Sequence, residues 1–96
     1  MKFKMPEYIG KNSWFTDKDV PCCVVGHIVS QLNFDLRLWL EDAWATNPFD
    51  FIKKELNVTE DEVCQLQTDN DRAETVEERQ QIFRRFLEAR GHEVEG

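Results

Sequence analysis

The chain has 96 residues, 41% of them hydrophobic, and a formal net charge of −7. That length supports one core and excludes two, since a chain of this size buries only about two thirds of the surface its unfolded form exposes. The charge disfavours direct binding to nucleic-acid phosphates, and no run approaches the roughly 20 apolar residues of a membrane span, so neither nucleic acid nor a membrane is an expected partner.

Residues 1–18 read as an extended N-terminal arm containing one short strand. Pro6, Gly10 and Asn12-Ser13 interrupt any helical period, while Phe3, Met5, Tyr8, Ile9, Trp14 and Phe15 are too apolar for a free tail. The arm is therefore expected to lie across a single helical domain at 19–96. Asp19 ahead of Pro21 resembles a helix start, and a first helix is predicted from about Val20 to Leu32. Its apolar arc of Cys22, Val24, Val25, Ile28, Val29 and Leu32 makes that helix central. Gly26 costs about 1 kcal/mol relative to Ala in a helix interior, a cost offset if Gly26 and Ser30 admit the close approach of another element.

Phe34 to Leu40 fits two periods. Phe34, Leu36, Leu38 and Leu40 alternate as in a strand, whereas Leu36, Trp39, Leu40, Ala43 and Trp44 form a longer helical stripe that Asp35 can cap, so a helix is predicted. Leu38 falls off that stripe and is the expected exposed apolar contact. Asn47-Pro48 then opens a short helix through Phe49, Ile52 and Leu56. Thr59 with Glu62, and Thr75 with Glu78, both match the Thr-x-x-Glu capping box. The first of these helices is predicted to end near Thr68. The second carries Val76, Ile82, Phe83, Phe86 and Leu87 and stops at Gly91, with Arg84, Arg85 and Arg90 at its C-terminal end. The fold class is therefore mainly α: a compact bundle of four to five short helices with an extended N-terminal arm.

Cys22, Cys23 and Cys64 are odd in number, and two are adjacent, which suits reduced thiols and a cytoplasmic setting. Residues 1–10 carry Lys2 and Lys4 without an apolar stretch behind them, so no targeting segment is expected. With His27 and His92 the cysteines form neither a C-x-x-C nor an H-x-x-x-H pair, so no metal site is expected, and no cofactor motif is present. Cys23 and His27, four apart, share a helix face, the minimum geometry for an imidazole-activated thiol. Asp69-Asn70-Asp71 begins like a calcium loop but fails at Ala73, Glu74 and Gln80, leaving an ordinary turn.

Acidic charge is unevenly spread. Basic and acidic residues balance at seven each through Lys54, whereas 55–96 holds twelve acidic and five basic residues. Glu55, Glu60, Asp61, Glu62, Asp69, Asp71 and Glu74 are the candidate partner-binding residues, facing a basic protein surface or mimicking nucleic acid toward a nucleic-acid-binding protein. Glu60, Asp61 and Glu62, like Glu77 and Glu78, fall in first turns, where the helix dipole already favours carboxylates.

Cys23-Val24-Val25-Gly26-His27, the segment Leu66 to Asp71 and Thr75-Val76-Glu77-Glu78 together resemble a loose group of uncharacterised small helical proteins of bacteria and their phages. These look like Cys-x-x-Gly-[His/Ala] on an early helix, Asn-Asp in a later loop and Thr-x-Glu-Glu opening the last helix. The resemblance covers about Pro21 to Leu87, and the arm and Trp39 to Phe51 depart from it. It implies a phage or prophage accessory protein in which His27 meets Asn70 or Asp71 across the core. The expected function is a non-enzymatic accessory factor that engages a host protein with a basic surface. The alternative is a small enzyme or small-ligand-binding protein using Cys23, His27 and an Asn70-Asp71 loop.

Overall fold

A computed structural model describes residues 1–42 and 45–96. The chain is mainly helical, with strand β1 (Lys2–Lys4), helices α1 (Val24–Gln31), α2 (Leu36–Glu41), α3 (Pro48–Leu56), α4 (Glu60–Arg72) and α5 (Val76–Glu88), and strand β2 (Glu93–Glu95). Its radius of gyration, 12.5 Å, equals the roughly 12–13 Å of a compact domain of this length. Among the described residues no helix is long and apolar enough to cross a membrane.

Helix α1 is the centre, with Val24, Val25, Ile28 and Val29 fully buried against Ile9, Ile52, Val63, Phe83 and Leu87. It starts at Val24 rather than near Val20. Asp19 does not cap it: the Thr16 hydroxyl accepts the Lys18 and Val20 N–H groups, Asp19 takes a left-handed φ of 61°, and Phe15 bridges to Pro21. The side chain of Thr16 thus folds residues 15–21 into a tight return before the helix begins. Gly26 does admit a close approach, since a Cβ there would lie 1.8 Å from the Trp14 carbonyl oxygen. Ser30, by contrast, stays exposed.

The four later helix starts follow the sequence signals. Asp35 accepts the Leu38 N–H, and Asn47 accepts the Asp50 N–H ahead of Pro48. Thr59 and Glu62 make both bonds of the capping box, while Thr75 accepts the Glu78 N–H. Helix α4 runs four residues beyond Thr68, to Arg72. Asp69, Asn70 and Asp71 are consequently helical, not a loop. Helix α2 ends at Glu41, and the predicted stripe positions Ala43 and Trp44 lie outside the described residues. Leu40, expected on the packed stripe, is exposed.

The arm is held by side chains that read its backbone. Gln31 accepts from Lys4 N and donates to Lys4 O, both at 2.8 Å. Gln80 donates to Pro6 O, Arg79 Nε to Ile9 O, and Asn70 Nδ2 to Gly10 O. Asp71 accepts the Asn12 N–H. After Gly91, whose φ of 85° turns the chain, β2 pairs in parallel with β1, Phe3 opposite Val94. Both free edges of this small sheet are covered, β1 by Gln31 and β2 by Arg84, which donates to Val94 O and Gly96 O; such coverage blocks edge-to-edge pairing.

A second cluster joins the arm to α2 and α3 through aromatic rings. Trp14 meets Trp39 at 5.7 Å between centroids and Phe49 at 6.5 Å, and Phe34 meets Phe15, Trp39 and Phe51. These rings are half-buried, so they form a satellite to the aliphatic core.

Gly26→Ala decides between two opposed effects. Propensity alone would favour Ala by about 1 kcal/mol, but overpacking against backbone costs about 1–3 kcal/mol or more. The variant is expected to be less stable in urea unfolding. Asn70→Leu, which strands the buried Val24 N–H and Gly10 carbonyl, is expected to lose about 2–6 kcal/mol, at about 1–3 kcal/mol per unsatisfied group.

Candidate functional site

The residues singled out for chemistry divide into an internal network and a surface set. Inside, Cys23, Asn70 and Asp71 are joined through Gln67. Cys23 Sγ donates to Gln67 Oε1 at 3.7 Å, and Trp14 Nε1 donates to the same oxygen at 3.1 Å. Gln67 Nε2 donates to both Asp71 oxygens, and Asn70 Oδ1 accepts the Val24 N–H at 3.3 Å. The network holds the arm and the start of α1 in place, and Gln67 and Asp71 also line a depression of about 420 Å³ with Asn12, Ser13, Trp14 and Phe49.

His27 stands apart from it. Its backbone N–H reaches Cys23 O as part of the helix, while its Nε2 is buried without a hydrogen-bond partner among the described residues. Burial pushes the imidazole below its ordinary pKa, partly offset by hydrogen bonding to the Tyr8 and Cys22 backbones. Asn70 spends its amide on Val24, Gly10 and Asp71, and none of its bonds goes to His27. Cys23 is 0% exposed, and burial pushes its thiol upward. An activated nucleophile needs the opposite shift and access to solvent.

The surface carboxylates have been assigned very different work. Glu62 is used twice, in the Thr59 cap and in a pair with Arg90; the Thr59 backbone N–H first, and Arg90 second, hold its carboxyl below the usual range. Glu60 pairs with Lys53 at 3.6 Å, and Asp71 is turned onto the arm. Asp69 accepts from Gln65 at 2.7 Å. Glu55, Asp61 and Glu74 are exposed and make no ion pair among the described residues. The candidate set does not form one patch: Glu60, Asp61 and Glu62 sit at one end of the α4–α5 hairpin, Asp69 and Glu74 near its turn, and Glu55 on α3.

Two adjoining depressions run along that hairpin. One of about 330 Å³ has Leu66, Ile82 and Phe86 as its floor and Glu62, Asp69, Arg85 and Arg90 on its rim. The other, about 430 Å³, shares Asp69, Ile82 and Arg85 and continues to Arg72 and Glu78. Arg90 lies over the Phe86 ring at 3.9 Å, so the end beside Glu62 is closed by an ion pair and a cation–π contact. At the turn, Asp69, Arg72, Glu74, Glu77 and Glu78 are exposed and make no ion pair among the described residues.

Among the described residues no group of three or more His, Cys, Asp or Glu side chains gathers to hold a metal ion. Comparison with protein-family models, with curated proteins and with solved structures gives no match to this chain.

Gln31, Gln67, Arg79 and Gln80 do structural work that composition did not reveal. Arg79 left a signal: it lies four residues before Phe83 and seven before Phe86, on the apolar stripe of α5, and is 6% exposed. Its guanidinium meets the carbonyls of Ile9 and Ala73. Ala73 closes α4, where the helix dipole is negative.

Two measurements follow from this geometry. Iodoacetamide at neutral pH is expected to label exposed Cys64 readily and Cys23 only on unfolding, read by mass spectrometry; fast native labelling of Cys23 would contradict its sealed position. His27 and His92 both have folded pKa values lowered by burial, His92 also by the N-terminal amine and Arg90. The unfolded chain therefore takes up protons first as pH falls below about 6.5. Stability is expected to be full well above that pH and to fall as pH drops through it toward the lowered folded values, with His27→Gln flattening the decline in urea midpoints.

Proposed function

We propose that this chain is a non-enzymatic binding protein that engages a partner protein with a basic surface through the α4–α5 hairpin. The observation that carries the reading is the open groove along the hairpin, with its apolar floor and with carboxylates left unpaired at the turn. Ion pairing matters to the choice of surface. At the other end Lys53 neutralises Glu60 and Arg90 neutralises Glu62, so little of their field is left for a partner. At the turn, Asp69, Glu74, Glu77 and Glu78 outnumber Arg72 and Arg85, and a local acidic excess steers an oppositely charged partner mainly through its rate of association.

The resemblance to small helical proteins of bacteria and phages supplies the setting, a phage-encoded factor acting on a host protein in the cytoplasm. Sealing of Cys23 and the separation of His27 from Asn70 and Asp71 weigh against the thiol-enzyme alternative.

Glu74→Lys combined with Glu77→Lys should abolish capture of the partner in a crosslinked pulldown from cells of the encoding organism, while Asp61→Lys should leave it nearly intact. Both variants must keep the wild-type helical circular dichroism. Undiminished capture by the Glu74/Glu77 variant would place the interaction elsewhere.

A further inference from the structure

The depression of about 420 Å³ between the arm, α3 and α4 combines aromatic rings with a carboxylate. Trp14 and Phe49 supply the rings, 6.5 Å apart between centroids and tilted by 50°. Gln67 and Asp71 line it from α4, one helical turn apart, and Asn12 and Ser13 complete it from the arm. These walls are already tied together, Trp14 Nε1 to Gln67 Oε1 and Gln67 Nε2 to Asp71. The depression is therefore formed before any ligand arrives, and its size falls in the range of about 300–1,000 Å³ typical of small-molecule sites.

Asp71 decides what this space can take. Its hydrogen bonds all come from neutral donors. Oδ1 accepts from Asn12 N at 2.8 Å, Gln67 Nε2 at 3.2 Å and Asn70 Nδ2 at 3.2 Å, whereas Oδ2 accepts from Gln67 Nε2 alone, at 3.1 Å. No cation pairs with Asp71 among the described residues, although Lys11 and Arg72 are close to this site in sequence. A half-buried carboxylate without a counter-charge attracts a cation, and aromatic rings beside it add the attraction of their negative faces. The kind of cation follows from the acceptors that remain. With Oδ1 taken, Oδ2 offers one point of attachment, so the paired bonds of a guanidinium fork find no match. An ammonium uses single acceptors, and Ser13 Oγ and Asn12 Oδ1 line the same space as further acceptors for its three N–H donors.

We infer that this depression binds a primary ammonium group on an aliphatic stem, with Asp71 as counter-charge and Trp14 and Phe49 beside the methylenes. A small amine and a lysine side chain both present that chemistry. The site shares no residue with the two depressions of the α4–α5 hairpin, so it stands whether or not the hairpin reading does.

The probe is n-pentylamine, with 1-pentanol as its uncharged counterpart and n-pentylguanidine as the forked cation, each titrated into the ¹⁵N-labelled full chain at neutral pH and low salt. Pentylamine is expected to saturate at millimolar concentration and to shift the Trp14 indole N–H and the Gln67 side-chain amide. It should bind at least about tenfold more tightly than pentanol, a difference of about 1.4 kcal/mol, and more tightly than pentylguanidine. Asp71→Asn should remove the preference for amine over alcohol while keeping the helical circular dichroism, and Phe49→Leu should weaken pentylamine about threefold. Glu74→Lys with Glu77→Lys should leave its affinity within about twofold, since screened surface charges at a distance contribute little. Nα-acetyl-lysine methylamide separates the two sources: binding as tight as pentylamine assigns the site to a lysine side chain, and markedly weaker binding assigns it to a free amine. Equal affinity of the wild-type chain for pentylamine and pentanol would overturn the inference. So would pentylguanidine binding as tightly as the amine, shift changes centred on Glu74 and Glu77, or a preference for amine that survives Asp71→Asn.

Discussion

The amide of Asn70 is the point on which the architecture turns. Its side chain is sealed completely within the protein, where an unpaired polar group is expensive. Its oxygen takes the Val24 N–H, one of the free donors that open α1, and its nitrogen gives to the Gly10 carbonyl in the arm. One side chain at the end of α4 therefore sets where α1 begins and where the arm crosses it. The neighbours extend the same solution, with Asp71 on Asn12, Arg79 on Ile9 and Gln80 on Pro6. An arm with so few regular backbone pairings needs these side chains, because its N–H and carbonyl groups would otherwise be buried without partners.

This arrangement explains which parts of the fold were legible in the sequence. Helices α3, α4 and α5 were marked by Asn47-Pro48, Thr59 and Thr75, local signals whose bonds form within three residues. Asp19 and Pro21 carry the composition of a cap and place the expected start of α1 near Val20, yet the Thr16 hydroxyl accepts the Lys18 and Val20 N–H groups and turns the chain back first. The composition of Asp69-Asn70-Asp71 is that of a turn and places the expected end of α4 near Thr68, whereas the helix continues to Arg72. Val63, Leu66 and Asn70 nonetheless keep helical spacing, and following the stripe to Asn70 would have shown a polar residue on the buried face. Strand β2 is three residues long and exists through a partner some ninety positions away, so no local pattern announces it.

The candidate site was less legible for a related reason. A count of carboxylates treats Glu62, Asp71 and Glu74 alike, whereas the structure gives Glu62 to a cap and an arginine, Asp71 to the arm, and leaves Glu74 in solvent. Spacing likewise placed Cys23 and His27 on one face. It could not show that Gln67 would take the thiol while the imidazole Nε2 is buried without a partner among the described residues. Long-range pairing decides whether a polar residue is structural or available, and only the fold supplies it.

The consequence for function is a separation of labour across the surface. Where the arm crosses α1, α4 and α5, polar side chains are consumed in holding backbone, and the pocket beside Trp14 and Gln67 is walled by groups already bonded to one another. The turn of the α4–α5 hairpin is different, for the exposed carboxylates at Glu74 and Glu77 have no ion-pair partner within the described residues. Changing those charges should cost little stability, since exposed pairs are worth only about 0–1 kcal/mol and these make none. Folding gives Glu74 no partner among the described residues and Glu77 only the helix dipole at the start of α5, whereas Asn70, Asp71 and Arg79 hold the arm. A surface in contact with a basic partner is the physical setting in which such idle carboxylates acquire an energetic role.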